Sequence, residues 1–464
     1  LRIKPYLGGG FTQKNWLKVQ AVCLEGMAMS VSAATKLETQ KFGPIILQPQ
    51  VSRLNMTVYL LGAVFTMMFS TFIPQAQPFI LTEILKIPAN QQGQISGYLG
   101  LAHTIIGLLM TGIWGTLSDK TGRRLVYAVG FLLMTLGIFL YPLAGTLLLL
   151  FVFRAVFSAG VNACNTMSNT LLGDYVNNSD RGKAYGFVAF GGGVGALVTV
   201  FLLLRLPAMF QSGGVEMAIA GRYAFWIVAA LCFVAMAMVL FGLMGRSRHQ
   251  QEEKRSGMEI ARAALRTARK PGILLAYGAN FVASGAVSAM GTFFSLWLVN
   301  YGVTRMGMGS GEALARAGMI IGVAQFTGLI FSPVFGVLAD KIGQIRVVTL
   351  SLLLTSVSFA ATLLISNPLG WTIIPLGLFL GASQIGGIIS AGALIAKQAP
   401  EEERGAVMGF YGFCGALGIM FTFLLGGLLF DRWLYQGPFV LVGLLALIVA
   451  LSSVFVERYV AVKG

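Results

Sequence analysis

The chain has 464 residues, of which 56% are hydrophobic and 11% charged, with a formal net charge of +16. Soluble domains carry about a quarter of their residues as charges, so this composition excludes an ordinary soluble globule and assigns the chain to a bilayer. The surplus of Lys and Arg is not read as a nucleic-acid footprint, because its placement follows membrane topology.

Residues 1–50 contain Lys4, Lys14, Lys18, Lys36 and Lys41, which interrupt each apolar run before it reaches the roughly 18 residues of a span. This stretch is expected to be a cytoplasmic tail, and no signal-peptide pattern is seen in it. From Val51 onward twelve apolar segments follow, at about 53–76, 92–115, 124–143, 145–172, 183–206, 222–244, 272–300, 313–336, 346–366, 370–396, 405–430 and 436–457. Each approaches the ~20 residues that cross a 30 Å core. The runs lack the alternation of barrel strands, and helices satisfy every backbone N–H and C=O within the segment. Four organisational units result: the tail 1–50, a six-helix bundle 51–244, a linker 245–271 and a second six-helix bundle 272–460.

With both termini cytoplasmic, 26 of the 33 Lys and Arg residues fall on the inside, which predicts a multi-pass protein of the inner or plasma membrane in that orientation. In the linker, Met258, Ala261, Leu265 and Ala268 share a helical face beside Arg262, Arg266 and Arg269, the pattern of an interfacial helix on anionic headgroups. Cys23, Cys164, Cys232 and Cys414 are scattered, so no disulfide framework or metal motif is read. With only His103 and His249, a histidine metal cluster is excluded, and no metal or cofactor is expected.

Between the second and third segments the chain reads Gly115-Thr-Leu-Ser-Asp119-Lys120-Thr-Gly122-Arg123-Arg124. About 220 residues later it reads Gly336-Val-Leu-Ala-Asp340-Lys341-Ile-Gly343-Gln344-Ile-Arg346, again between apolar runs. Repetition at that spacing implies two similar halves. The signature resembles the loop joining helices two and three in major facilitator superfamily transporters, and the drug-exporter branch most closely. Asp174 followed after six residues by Arg181-Gly182 resembles a second element of that family. Arg404-Gly405 repeats it without the acid, because Lys397 stands in that place. The resemblance implies a conformational latch: Asp119 meets the start of the eleventh segment near Arg404 when the cytoplasmic side closes, and Asp340 meets the region of Arg181. Gly115 and Gly122 are read as positions of close helix approach.

The fourth segment carries Arg154, Ser158, Asn162, Asn165 and Asn169 within an arc of about 80°. An Arg at mid-membrane costs about 2.5–3.5 kcal/mol on insertion scales, so the stripe faces protein or water rather than lipid. Weaker stripes occur in the first segment (Asn55, Tyr59, Thr66, Ser70, Gln77) and in the seventh (Asn280, Ser284, Ser288), and Gln384 stands alone in the tenth. The family lines its cavity with these four helices, so all are taken as candidate substrate contacts. Arg154 also opens a family-like element in which Ser158 replaces the first Gly. Arg154 is read as a substrate or coupling residue, with a buried structural ion pair as the alternative, although no carboxylate lies in neighbouring segments. His103, beside Ser96, Gly100, Gly107 and Trp114, is read as helix packing. Gly186, Gly191 to Gly193 and Gly195 lack the Pro of the drug-antiporter motif and are also read as packing.

All 17 acidic residues lie in the tail, loops or helix ends, leaving Asp174, His103 or the cargo itself to carry a coupling proton. The expected protein is an all-α, twelve-helix monomer of the major facilitator fold, moving a small organic solute across the bilayer, with efflux of amphipathic compounds ahead of uptake. An organic-anion carrier using Arg154 is the alternative. From another class, a non-transporting receptor or lipid-handling protein on the same scaffold is set against these. No nucleophile–base pairing supports an enzyme.

Overall fold

The computed structural model describes residues 40–245, 266–267 and 270–463. The linker face expected around Met258 to Arg269 lies outside the described residues except for Arg266. Among the described residues, twelve helices are long and apolar enough to cross a membrane: α1 Arg53–Ile84, α2 Ala89–Thr121, α3 Arg123–Leu143, α4 Leu147–Tyr175, α5 Asn178–Ser212, α6 Met217–Gly242, α7 Pro271–Met306, α8 Ser310–Ile342, α9 Gln344–Leu364, α10 Ile373–Gln398, α11 Glu401–Arg432 and α12 Gly437–Arg458. Their order matches the sequence segments, but several run longer. The 33 residues of α2 give a rod of about 50 Å, which projects well beyond a 30 Å hydrocarbon core.

The halves repeat in detail. α1 ends in a π-helical turn, Ile80–Ile84, and α7 contains one at Ala289–Phe294. α5 and α11 are each entered through a 3-10 turn, Asn178–Asp180 and Glu401–Glu403. Gly122 and Gly343 end α2 and α8 with φ of 99° and 92°, a backbone region that a Cβ disfavours, so each turn requires Gly. In the first bundle α3 packs on α4 and α6, and α1 on α5 and α6; in the second, α7 packs on α11, α8 on α10, and α9 on α12.

Successive helices reverse direction, so one face of the molecule carries the Asp119 and Asp340 turns, here called the basic face, and the opposite face carries the α1–α2 and α11–α12 turns. Between bundles, α2 meets α11 and α5 meets α8, and the contacts lie at the opposite face. A Cβ on Gly97 would strike the Phe423 carbonyl, one on Gly427 would lie 2.7 Å from the Gly93 carbonyl, and one on Gly318 2.6 Å from the Val200 carbonyl. The Ser295 hydroxyl donates to the Gln75 carbonyl at 2.7 Å, joining α7 to α1. Towards the basic face the same helices part, and a Cβ added at Gly112, Gly115, Gly182, Gly336, Gly405 or Gly409 would meet no atom within 4 Å. The bundles are therefore closed at one face and open at the basic one.

The last part of the sequence tail is folded. Strands β1 Lys41–Phe42 and β2 Ile45–Ile46 form a hairpin around Gly43, which has φ 55°. The hairpin lies on the α4–α5 junction: Gln48 N–H donates to the Tyr175 carbonyl, Asn177 N–H to the Ile46 carbonyl, and Ile46 N–H to Asp180 Oδ2 at 2.9 Å. Lys183 Nζ holds the other Asp180 oxygen at 2.8 Å. Ile45, Leu47 and Val51 are buried beneath it. Asp180→Ala is expected to release this hairpin, because the Ile46 amide and the Lys183 ammonium lose the carboxylate that accepts from both. Limited proteolysis should then cut near residue 43 in the variant and spare the parent.

Candidate functional site

The stripe on α4 changes exposure along its length. Arg154 is 2% exposed and Ser158 buried, Asn162 is half-buried, and Asn165 and Asn169 are exposed. Exposed amides within a membrane helix require water or protein around them. This gradient makes a polar wall that is exposed towards the basic face and buried at Arg154. Across it, Thr111 of α2 exchanges hydrogen bonds with Asn162, with 3.2 Å from Nδ2 to Oγ1. Ser70 of α1, Ser284 of α7 and Gln384 of α10 are half-buried.

At the buried end, Arg154 is enclosed by uncharged groups. Its guanidinium carbon lies 5.6 Å from the Phe157 ring centroid, and Nε and Nη1 have no hydrogen-bond partner. Among the described residues no carboxylate pairs with it. This counts against the structural ion pair considered from sequence. The Tyr141 side chain adjoins the guanidinium and donates to Gln77 Oε1 at 3.3 Å, while Gln77 Nε2 donates to Ser96 at 2.8 Å. Ser158 donates to the Arg154 carbonyl at 2.6 Å and meets His103 Nδ1 at 2.7 Å. A hydroxyl has one proton, so with Ser158 donating to the carbonyl, Nδ1 is the donor and Nε2 carries the lone pair. His103 thus both packs α2 on α4 and bonds to the stripe. Its partner was not readable from sequence.

Several candidate contacts point elsewhere. The Tyr59 hydroxyl donates to the Ser168 carbonyl at 2.9 Å from a buried position, and Thr66 bonds to the Gly62 carbonyl and the Tyr127 hydroxyl. Both brace the interior of the first bundle rather than line a cavity. Gln77 is likewise buried in the network just described. Asn55 completes a capping box with Ser52 and donates to the Gly242 carbonyl. On α7, Asn280 Nδ2 donates to the Tyr411 carbonyl of α11 at 2.7 Å, and Ser288 to Gly285. That stripe serves packing within the second bundle, because equal spacing defines a face without saying which neighbour it meets. Gly195 abuts the Val64 carbonyl, in keeping with close packing of α5 on α1.

The charged turns are separated from the opposite bundle. Arg123 is buried, with Nε 2.6 Å from Asp174 Oδ2, Nη1 3.1 Å from Ser118 Oγ and 3.5 Å from Asp119. Arg181 donates to the Gly173 carbonyl of its own bundle, and Arg346 pairs with Glu457 at 2.6 Å. Asp340 and Arg404 are exposed, as are Lys120 and Arg124, or nearly so. Among the described residues, none of Asp119, Asp340, Arg181 and Arg404 forms an ion pair with the other bundle, and Gly115 and Gly336 stand clear of it. In this conformation the expected cross-bundle latch is undone, since the faces it joins are apart.

Comparisons with known proteins agree with this architecture. The family model described as Major Facilitator Superfamily matches residues 58–330 and 310–463. The chain is 27% identical over 410 residues to the magnetosome protein MamH of Paramagnetospirillum magneticum, covering 86% of this chain and 91% of that one. It is 24% identical to multidrug resistance protein 2 of Bacillus subtilis over 82% of this chain and 90% of the other. Among solved structures, a point mutant of the nucleoside transporter NupG superposes with a TM-score of 0.70 at 15% identity, covering 87% of this chain and all of the other.

Proposed function

The chain belongs to the Major Facilitator Superfamily and is a multi-pass membrane transporter; from that premise we propose that it is a secondary carrier moving a small organic solute by alternating access. The observation that carries the reading is the one-sided closure: bundles in contact at one face and parted at the face bearing the duplicated charged turns. The distribution of Lys and Arg makes the basic face cytoplasmic, so the conformation is inward-facing. Asp119 and Asp340 then form their cross-bundle contacts only in the opposite state. Export of amphipathic compounds is the preferred direction, supported by the likeness to multidrug resistance protein 2.

A second reading, transport of an organic anion, is favoured by Arg154, whose Nε and Nη1 are buried without partners. An unsatisfied guanidinium in the membrane interior is costly, and an incoming anion would relieve that cost. Thermal-shift screening of the purified protein against matched organic anions and lipophilic cations separates the readings. A ligand at 100 times its Kd adds about 2.7 kcal/mol to apparent stability. Stabilisation by anions that disappears in Arg154→Gln makes the cargo anionic. Stabilisation by lipophilic cations that persists in the variant restores amphipathic export. Asp119→Asn addresses the receptor alternative: a carrier is expected to lose turnover at least tenfold in liposomes while ligand binding is unchanged, whereas a pure receptor is indifferent.

A further inference from the structure

On the first bundle, at the face opposite the charged turns, four aromatic rings form a continuous strip across three helices. Phe210, near the end of α5, meets Tyr223 of α6 with ring centroids 6.0 Å apart. Tyr223 meets Trp226 at 6.0 Å, and Trp226 stacks on Phe139 of α3 at 5.7 Å. Phe139 and Tyr223 are exposed and Phe210 and Trp226 half-buried, so the strip belongs to the outer surface of the bundle. Arg222 precedes Trp226 by one helical turn on the same face of α6. Its Nε and the Trp226 Nε1 are both buried without a hydrogen-bond partner, and among the described residues no carboxylate pairs with the guanidinium. Glu216, the nearest acid along the chain, is exposed at the N-cap of α6. Arg222 lies about 7.5 Å into α6, counted from Met217, and Trp226 about 6 Å deeper. A guanidinium near the positive end of a helix dipole, with no acid beside it, makes a site for an anion. The second bundle has no counterpart, since residues 437–450, which open α12, hold no charged residue, Trp or Tyr.

We propose that this surface binds an anionic phospholipid from the leaflet at that face, with Arg222 on the phosphate, Trp226 on an ester carbonyl and the aromatic strip along an acyl chain. The order of groups carries the assignment. Side chains of a helix lean towards its N-terminus, which for α6 is the membrane surface, so Arg222 extends to headgroup depth and Trp226, one turn below, to the ester layer. A lipid presents the same sequence inward from the surface: an anion, then carbonyl acceptors, then hydrocarbon. A soluble phosphate matches only the first of these. Trp and Tyr concentrate at this depth because one part of each ring system is apolar and the other can hydrogen-bond. Lipid oxygens would satisfy donors that the protein leaves unpaired, and an unpaired buried donor is costly. A net negative headgroup is favoured over a zwitterionic one, because no acid pairs with Arg222 to receive an ammonium group.

The test uses the full chain in phosphatidylcholine nanodiscs doped with phosphatidylglycerol brominated near its ester carbons, since bromine quenches indole emission at short range. The Trp226 signal is the difference between each protein and the same protein carrying Trp226→Phe, so that the other Trp residues cancel. Brominated phosphatidylglycerol is expected to quench this signal at least about threefold more than phosphatidylcholine brominated at the same carbons and present at the same mole fraction, the size of effect one Arg has on an anionic headgroup. Arg222→Gln should abolish the preference. Arg222→Lys, which keeps the charge, should retain most of it and report that the position tolerates substitution. The proposal is overturned if the two lipids quench equally in the parent or if the preference survives in Arg222→Gln. It is also overturned if glycerol phosphate in the buffer relieves the quenching, which would make the ligand a soluble phosphate. The readout requires no cargo, so its failure is distinguishable from failure of any assignment of the transported solute.

Discussion

Gly97→Leu is expected to reduce turnover at least about a hundredfold while leaving the protein folded. A Cβ at this position would strike the Phe423 carbonyl oxygen, and on the other helix a Cβ at Gly427 would meet the Gly93 carbonyl at 2.7 Å. The obstructing atoms are backbone on both sides, so no side chain can turn away to make room. Strain of about 3 kcal/mol, the upper end for overpacking, corresponds to roughly two orders of magnitude in the closed population. The α2–α11 contact joins separate bundles, and its loss leaves each bundle's own core intact. The variant should therefore keep a melting temperature near that of the parent, yet accumulate in the state open at the face of the α2–α11 contact. Cysteine accessibility on that face and uptake into liposomes measure the two halves of the expectation. Gly145→Leu, in an exposed loop with no atom near its Cβ position, serves as the control and should transport normally. Normal turnover in Gly97→Leu would mean that the face does not close as tightly during the cycle as it does here.

Arg123→Ala is expected to destabilise the first bundle by about 3–5 kcal/mol, the usual consequence of removing one partner of a buried ion pair. The Arg123 and Asp174 side chains are 10% and 5% exposed, so the variant takes a charged partner away from a carboxylate that stays in a dry site. The double variant Arg123→Met with Asp174→Leu should recover most of the loss, because the cost lies in keeping a buried charge with one ionic partner fewer rather than in the missing attraction. Asp119→Asn should be nearly silent in the same unfolding measurement. Its carboxylate is half-exposed and 3.5 Å from Arg123, and such pairs contribute about 0–1 kcal/mol. One neighbouring pair of carboxylates thus divides into a structural member, Asp174, and a member whose contribution to stability is small here, Asp119. A large loss of stability in Asp119→Asn would contradict that division.

Much of the fold was legible because the bilayer constrains it so strongly. Uninterrupted apolar runs, each bounded by Gly, Pro or charged residues, identify all twelve helices, and the paired Asp119 and Asp340 turns reveal the duplication. The helix ends were less legible. Asn90–Gln92 and Ser118–Thr121 are polar, yet they continue α2 beyond the hydrocarbon, where water no longer penalises such residues. The shared polar face of α4 was legible from periodicity alone, and Asn165 and Asn169 are exposed on it. The site was misread where the same periodicity serves packing, as at Asn280 and Ser288, or where a hydroxyl turns into its own bundle, as at Tyr59. Arg154 stood out because a lone charge in an apolar segment is rare. Asp431, which accepts from the Gly93 and Gln94 backbone N–H groups across the α2–α11 contact, did not, since every residue but proline carries such an amide and no sequence pattern distinguishes it.

The hairpin at the basic face has a practical consequence for observing the transport cycle. It is bonded to the α4–α5 junction, while Asn55 ties the start of α1 to the end of α6 and the Tyr175 hydroxyl receives the Met244 amide. These ties join four helix ends into a single plate. A fluorophore on Lys41 would therefore ride with the first bundle instead of reporting local fraying, and a second on Glu457, at the same face of the other bundle, would complete a ruler for the opening and closing of the basic face.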